Sequence, residues 1–309
     1  MDREAAQTLL NIAYSSITFA SNSPPLICEP RYDEATNLGS GKFPRLPTSS
    51  NDNLSALSIL YKNNEAALAN GQDRQVERAF IVAFRQSLSK MTNFNINIVS
   101  DTICPWCYVG KKRLEKGIAA YKQKHPESDD TFSTQWFPFY LNPDAGKSLD
   151  KQEMYIKKFG KERTATLNQM LAKVGHAEGI NFKFGGNTGN TRDSHRLVQL
   201  GKTKGPKMQT RVVEELFAAY FENEKDITTH EVLVESGVKA GLEEKEIKEW
   251  LNSGKGGAEV DKEVQDAREQ NISGVPNFTI NDQFEIGGAQ EPAAFVQLFE
   301  RLKRMEGSL

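Results

Sequence analysis

Cys104 and Cys107 enclose Pro105 and Trp106 in the run SDTICPWCYVGKKRLE, a Cys-x-x-Cys spacing in a chain with three cysteines in all. Two thiols at this spacing serve disulfide exchange or metal ligation. Exchange needs one reactive thiol and a second close enough to attack the mixed disulfide. A helix starting at the motif supplies both. Its free amides and dipole favour a thiolate on Cys104, an effect that moves protein thiols from about 8.5 into a range of about 3.5–7.5. Cys107, a turn further in, is then the resolving thiol. Pro105 suits the first helical turn, where its missing N–H costs nothing. Trp106 brings no charge and acts through packing and local dielectric. The alternative is zinc, which needs two more ligands. The remaining cysteine, Cys28, lies far upstream, and His125, His176, His195 and His230 contain no His-x3–5-His pair, so redox chemistry is preferred and no metal is expected.

The elements that must position the pair follow from periodicity. Phe94, Ile96 and Ile98 alternate with Asn95, Asn97 and Val99, predicting a strand that ends at Ser100-Asp101, immediately before the motif. Leu114, Ile118 and Tyr121 then fall on one helical face. Phe132 to Tyr140 fits a second strand. From about 148 to 254 the pattern is helical: Leu167, Met170, Leu171 and Val174 share one face, Val212, Val213, Leu216, Phe217 and Tyr220 another, and Ile247 with Trp250 a third. KFGGNTGNT at 183–191 reads as a loop; with no Gly-Lys-Ser/Thr closing it, it is not a phosphate-binding loop. Val275 to Ile280 is a strand, Asn281-Asp282 a turn, Gln283 to Ile286 a second strand, and Phe295, Leu298, Phe299 and Leu302 mark a last helix. This order predicts an α/β chain: a thioredoxin-like fold with an inserted helical domain.

Pro276 at the start of a predicted strand has a use in such a sheet. A cis Val275–Pro276 bond would turn the Val275 backbone toward the cysteines, where its N–H and C=O could pair with an extended substrate, although trans is the default for any X-Pro bond.

Upstream of the first strand the composition differs. Residues 21–53 have no periodicity of two or 3.6 and are expected to form an extended linker between stretches, Arg3 to Tyr14 and Asn53 to Lys90, that could be helical. Residues 1–91 are therefore read as a poorly structured N-terminal extension and 92–309 as the catalytic domain. Cys28 is read as an unpaired thiol.

Composition narrows the functional classes. With 39 Lys plus Arg against 41 Asp plus Glu, the 309-residue chain has a formal charge of −2, which offers no field for nucleic acid or an anionic membrane. No apolar run reaches the length of a membrane span, and the mean hydropathy is −0.56. MDREAAQTLL lacks the basic region and uninterrupted apolar run of a secretory leader, and Gly307-Ser308-Leu309 lacks the Lys of the usual peroxisomal tripeptide, so a cytoplasmic location is expected.

SDTICPWCYVGKKRLE, WFPFYLNPD at Trp136 to Asp144, NTRDSHRL at Asn190 to Leu197 and SGVPNFTIN together resemble the DsbA-like thioredoxin family, and within it the FrnE-type oxidoreductases related to 2-hydroxychromene-2-carboxylate isomerase. The resemblance covers about residues 94–305. It implies Cys104 as nucleophile, Cys107 as its partner, Pro276 as the cis-proline and a helical insertion capping the site. Ser194 stands where the pattern N-T-x-x-A-H-R has Ala.

Pro105, Trp106, Val275, Pro276, Asn190, His195 and Arg196 complete the expected substrate-binding set. His195 is weighed as a proton relay and as a structural hydrogen-bonder, and the second is favoured for a lone His on an amphipathic helix. The leading function is thiol–disulfide exchange with protein or small-molecule substrates, without a bound cofactor and with glutathione as a candidate redox partner. The alternatives are a glutathione-linked isomerase or transferase, a branch that typically has Ser at the nucleophile position, and a non-catalytic peptide-binding or holdase module.

Overall fold

The computed structural model describes residues 91–306 apart from Lys147. The expected linker, the two stretches that could be helical and Cys28 lie outside the described residues.

Alternation builds the central strand. In β1 (Asn93–Ser100) Phe94, Ile96 and Ile98 are buried while Asn93 and Asn95 face solvent. A helix, α1 (Pro105–Lys124), leads to β2 (Thr131–Pro138), which pairs with β1 in parallel, Phe94 opposite Phe132 and Ile98 opposite Trp136. At the far end of the chain β5 (Asn277–Ile280) and β6 (Phe284–Gly287) complete a four-stranded sheet of order β2-β1-β5-β6, with both of its other pairings antiparallel. The β5–β6 turn is made by Asn281 and Asp282 at φ 50° and 54°, positive values that these two residue types tolerate and that match the twist of a hairpin.

Helix α1 and the last helix, α9 (Pro292–Glu306), cover one face of the sheet. Phe94, Tyr121, Phe132 and Phe299 meet there with ring centroids 4.7 to 5.7 Å apart, the offset and edge-on spacings aromatic rings prefer. Gly110 allows α1 to lie close on β5. A Cβ at Gly110 would come within 3.0 Å of both Phe278 and Pro276.

Between the two strand-bearing halves lies the helical block. It begins with a short ribbon in which β3 (Leu149–Asp150) pairs with β4 (Asn187–Thr188), the latter inside the Gly-rich stretch expected to be loop. Helices α2 (Lys151–Phe159) and α3 (Lys161–Glu178) join through Gly160 at φ 84°, a backbone that favours glycine. They are followed by α4 (Arg192–Thr203), α5 (Pro206–Phe217), α6 (His230–Ala240), α7 (Glu244–Asn252) and α8 (Gly257–Glu269). The block thus continues past the expected limit near Gly254, because Val260, Val264 and Ala267 bury a helical stripe hidden among charged neighbours. Helix α5 does not continue through Tyr220 as the spacing predicts; Ala218–Glu222 form a π-helical turn. Edge strand β2 is closed by buried Gln209 of α5, which accepts from the Trp136 N–H at 3.0 Å and donates to its carbonyl at 2.8 Å. Pairing the exposed backbone groups of an edge in this way removes a site for strand addition.

One buried cation is unusual. Lys151 is 3% exposed; its Nζ donates to the Tyr220 carbonyl at 3.1 Å and lies 3.8 Å from the centre of that ring. Burial pushes its pKa from 10.5 down to about 8, against the pull of Glu224 and Asp150. Between those two values the unfolded chain holds a proton that the folded chain has lost, so stability rises with pH across the window. At about 1.4 kcal/mol per pKa unit, the ammonium costs on the order of 3 kcal/mol at neutral pH. Lys151→Met is expected to melt higher than the parent at pH 7, and the gap should narrow steadily from pH 8 to 9.5. A constant gap would show that the amine carries no such burial cost.

Candidate active site

Strand β1 ends in a turn that delivers the first cysteine to a helix start. The Cys104 N–H bonds the Asp101 carbonyl at 3.0 Å, Cys104 is the extended N-cap of α1 (φ −88°, ψ 112°), and Pro105 occupies the first helical position. No acidic side chain lies in that first turn. The Cys107 N–H in turn bonds the Cys104 carbonyl at 3.1 Å. Both thiols are free.

The two thiols differ in surroundings. Cys107 is 1% exposed, and burial, reinforced by Cys104, pushes its thiol well up despite opposing contacts with Ser100 and the Asp101 backbone. Cys104 is 4% exposed, yet it lines a cavity of about 390 Å³. Its S–H donates to the Val275 carbonyl at 3.6 Å, and the Val275–Pro276 peptide is cis. Ile103, Pro105, Trp106 and Val275 share this wall of the cavity.

Most of the remaining lining comes from the helical block. Met154, Tyr155 and Phe159 of α2 and Leu167, Asn168 and Leu171 of α3 form the opposite wall. Burial, then Cys104 and Asp101, push the Tyr155 phenol up to about 12, so it remains a hydroxyl donor near neutrality. Leu141, Leu149 and Met170 contribute apolar surface at 42%, 45% and 40% exposure. The α3 face carrying Leu167 and Leu171 was legible as a helical stripe, but that it walls a cavity was not. Tyr155, Lys158, Arg163 and Asn168 carried no sequence signal, because their importance comes from packing across the chain.

Four expected residues lie off the cavity lining, the first of them Pro276, which is buried with its ring against Gly110 of α1. Asn190 and Arg196 are not among the cavity-lining residues. The Asn190 side chain accepts from the Arg192 N–H at the start of α4, and buried Arg196 donates to the carbonyls of Trp250, Leu251 and Lys255 and to Asp193. Arg196 therefore ties α4 to the end of α7, its guanidinium serving otherwise unpaired helix-end carbonyls. His195 also lies off the cavity, 5% exposed, with Nε2 3.2 Å from the Phe139 carbonyl and 3.4 Å from Asp101 Oδ1. Ser194, where the family pattern has Ala, bonds Thr102 at 2.7 Å and so fastens α4 to the cysteine turn. Among the described residues no group of three or more His, Cys, Asp or Glu side chains is arranged to hold a metal, and no helix is long and apolar enough to cross a membrane.

A thioredoxin-type sheet, a Cys-x-x-Cys pair at a helix start, a facing X-Pro segment and an inserted helical block define one class of protein. The chain belongs to the DsbA-like thioredoxin family: residues 95–300 match the family described as DSBA-like thioredoxin domain. It is 27% identical over 206 residues to the uncharacterized protein YwbO of Bacillus subtilis, covering 63% of this chain and 90% of that one. Among solved structures, a probable DsbA oxidoreductase of Streptomyces coelicolor superposes with a TM-score of 0.61 at 28% identity, over 67% of this chain and 89% of the other. A 2-hydroxychromene-2-carboxylate isomerase shares the fold, with a TM-score of 0.51 at 15% identity over 69% of this chain and 98% of its own.

Proposed function

We propose that this protein is a thiol–disulfide oxidoreductase of the FrnE type, acting in the cytoplasm on thiol- or disulfide-bearing substrates that reach Cys104 through the cavity. The observation that carries the reading is the asymmetry of the pair: Cys104 opens to a cavity at a helix N-terminus, while Cys107 lies sealed behind it.

In the reductive direction the Cys104 thiolate attacks one sulfur of a substrate disulfide, forming the mixed disulfide and releasing the other sulfur as a thiolate that takes a proton from solvent. Cys107 then gives up its proton and attacks the Cys104 sulfur. The second substrate thiolate leaves, the Cys104–Cys107 disulfide forms, and two electrons have passed to the substrate. Run backwards, the same steps oxidise a dithiol. The Val275 carbonyl, which accepts from the resting thiol, becomes free for a substrate N–H when the thiolate forms.

Exchange with a small model disulfide, followed by stopped flow through Trp106 fluorescence, together with titration of the pair against glutathione, tests the reading. A saturable exchange rate and a reversible two-electron couple are expected, from the full chain and from residues 92–309 alike. Saturable binding of unfolded peptide without any exchange would instead support a non-catalytic peptide-binding module, which the exposed Leu141, Leu149 and Met170 would suit.

A further inference from the structure

Beneath the cysteine turn lies an ionisable couple that thiol exchange as described above does not use. Asp101 is 0% exposed; its Oδ2 accepts from the Leu141 N–H at 2.8 Å and its Oδ1 from the Ile103 N–H at 3.5 Å. Among the described residues His195 is the one basic side chain within ion-pair distance of it, at 3.4 Å. Asp101 is also the residue whose carbonyl receives the Cys104 N–H. The couple therefore sits directly under the nucleophile and joins the cysteine turn, the segment after β2 and α4.

The other charges around His195 are committed elsewhere. On its own helix Arg192 pairs with Asp261 and Arg196 with Asp193, which also meets His230 from α6. Tyr140, with its ring 5.9 Å from the imidazole, donates its hydroxyl to Asp261 of α8. Charge at Asp101 reaches the cavity, since it contributes to holding up the phenol of Tyr155 in its lining. A buried carboxylate with a titratable partner thus belongs to the same turn as the sulfur that must itself become an anion.

We propose that His195 is a positioning residue whose protonation balances buried Asp101 and thereby favours the thiolate of Cys104. With imidazolium present the couple is neutral, and the sulfur loses its proton to solvent against no added negative charge, in a cavity whose lining also carries Lys158 of α2 and Arg163 of α3. With neutral imidazole the same proton leaves beside a net negative charge in a water-poor interior, where such a charge acts strongly. The inference rests on Cys104 being the attacking sulfur. It makes nucleophilicity depend on a side chain that never touches substrate.

The test is the rate of iodoacetamide alkylation at Cys104 in the reduced full chain from pH 4 to 9, with the labelled peptide quantified by mass. In His195→Gln, which keeps a donor for the Phe139 carbonyl but no charge, the midpoint is expected to rise by about half to one pH unit, a slowing of roughly three- to tenfold near pH 6. Asp101→Asn combined with His195→Gln should bring the midpoint back toward the parent value. An unmoved midpoint in folded His195→Gln overturns the proposal. The unmutated chain gives a second arm, because linkage is reciprocal: by NMR, the His195 ring resonances should titrate at lower pH once Cys104 is alkylated, and an unchanged titration overturns the proposal whether or not the variants fold. Alkylation reports the thiolate and not turnover, so a coupled His195 in a protein that exchanges no disulfides would sink the oxidoreductase reading and leave this one standing.

Discussion

Cys104→Ser is expected to abolish disulfide exchange, with a residual rate at the level of the uncatalysed reaction. The hydroxyl is no substitute for a thiolate as a nucleophile toward sulfur, and the buried Cys107, held protonated by its surroundings, does not open to the cavity in its place. Cys107→Ser should behave differently. Attack by Cys104 survives, the resolving step is lost, and a mixed disulfide accumulates in a ratio approaching one per chain, visible by mass under non-reducing conditions. Recovery of the trapped species from Cys104→Ser instead would reverse the two roles. It would also contradict the difference in access between the two sulfurs, one on the cavity wall and the other 1% exposed.

The largest effect on stability is expected from Asp130→Ala. Asp130 is 8% exposed and joins three parts of the sheet's covered face: it accepts from the Thr92 N–H at 2.8 Å, from the Tyr121 hydroxyl at 2.7 Å and from Lys303 of α9. Burial by itself would raise this carboxyl, but the bonds from Lys303, Ser128, Thr92 and Tyr121 prevail and hold it below its ordinary value. Removing it leaves a mostly buried ammonium and a buried N–H without the carboxylate, at a cost of about 3 kcal/mol or more. For a domain of this size that is a fall in Tm of roughly 6–12 °C. Because the folded-state carboxyl titrates below its unfolded counterpart, its contribution is complete above the usual carboxylate range and fades as pH falls through the lowered value. Melts of parent and variant should therefore converge in acid. A neutral-pH difference under about 1 kcal/mol, the range of an exposed ion pair, would show that the cluster is solvated.

Local order was written in neighbouring residues. The alternation of Phe94, Ile96 and Ile98, the stripe of Leu114, Ile118 and Tyr121, the Asn281-Asp282 turn and the helix start at Pro105 each depend on side chains within a turn or two, and the structure shows each element. The spacing of Cys104 and Cys107 is of the same kind. Where sequence reading stopped short, tertiary packing is the cause. Val260, Val264 and Ala267 form a stripe too sparse among charges to be recognised until α8 has a surface to bury it against. Tyr220 looked like one more helical apolar residue, yet it lies in a π-helical turn, where Lys151 meets its carbonyl and Thr188 its hydroxyl.

At the site, the sequence by itself determined which atoms are present and how the cysteines lie relative to one helix start, since both follow from covalent spacing and backbone sterics. Tertiary structure alone decided that Arg196 serves carbonyls at the end of α7, that Tyr155 and Phe159 wall the cavity, and that His195 meets Asp101 from the other side of the chain. Such contacts join residues many positions apart, as Thr102 and Ser194 do across 92 positions. No local propensity encodes them. They exist because the sheet and the helical block must bury their apolar faces against one another, and the polar groups carried into that junction must find partners there or pay for desolvation unpaired.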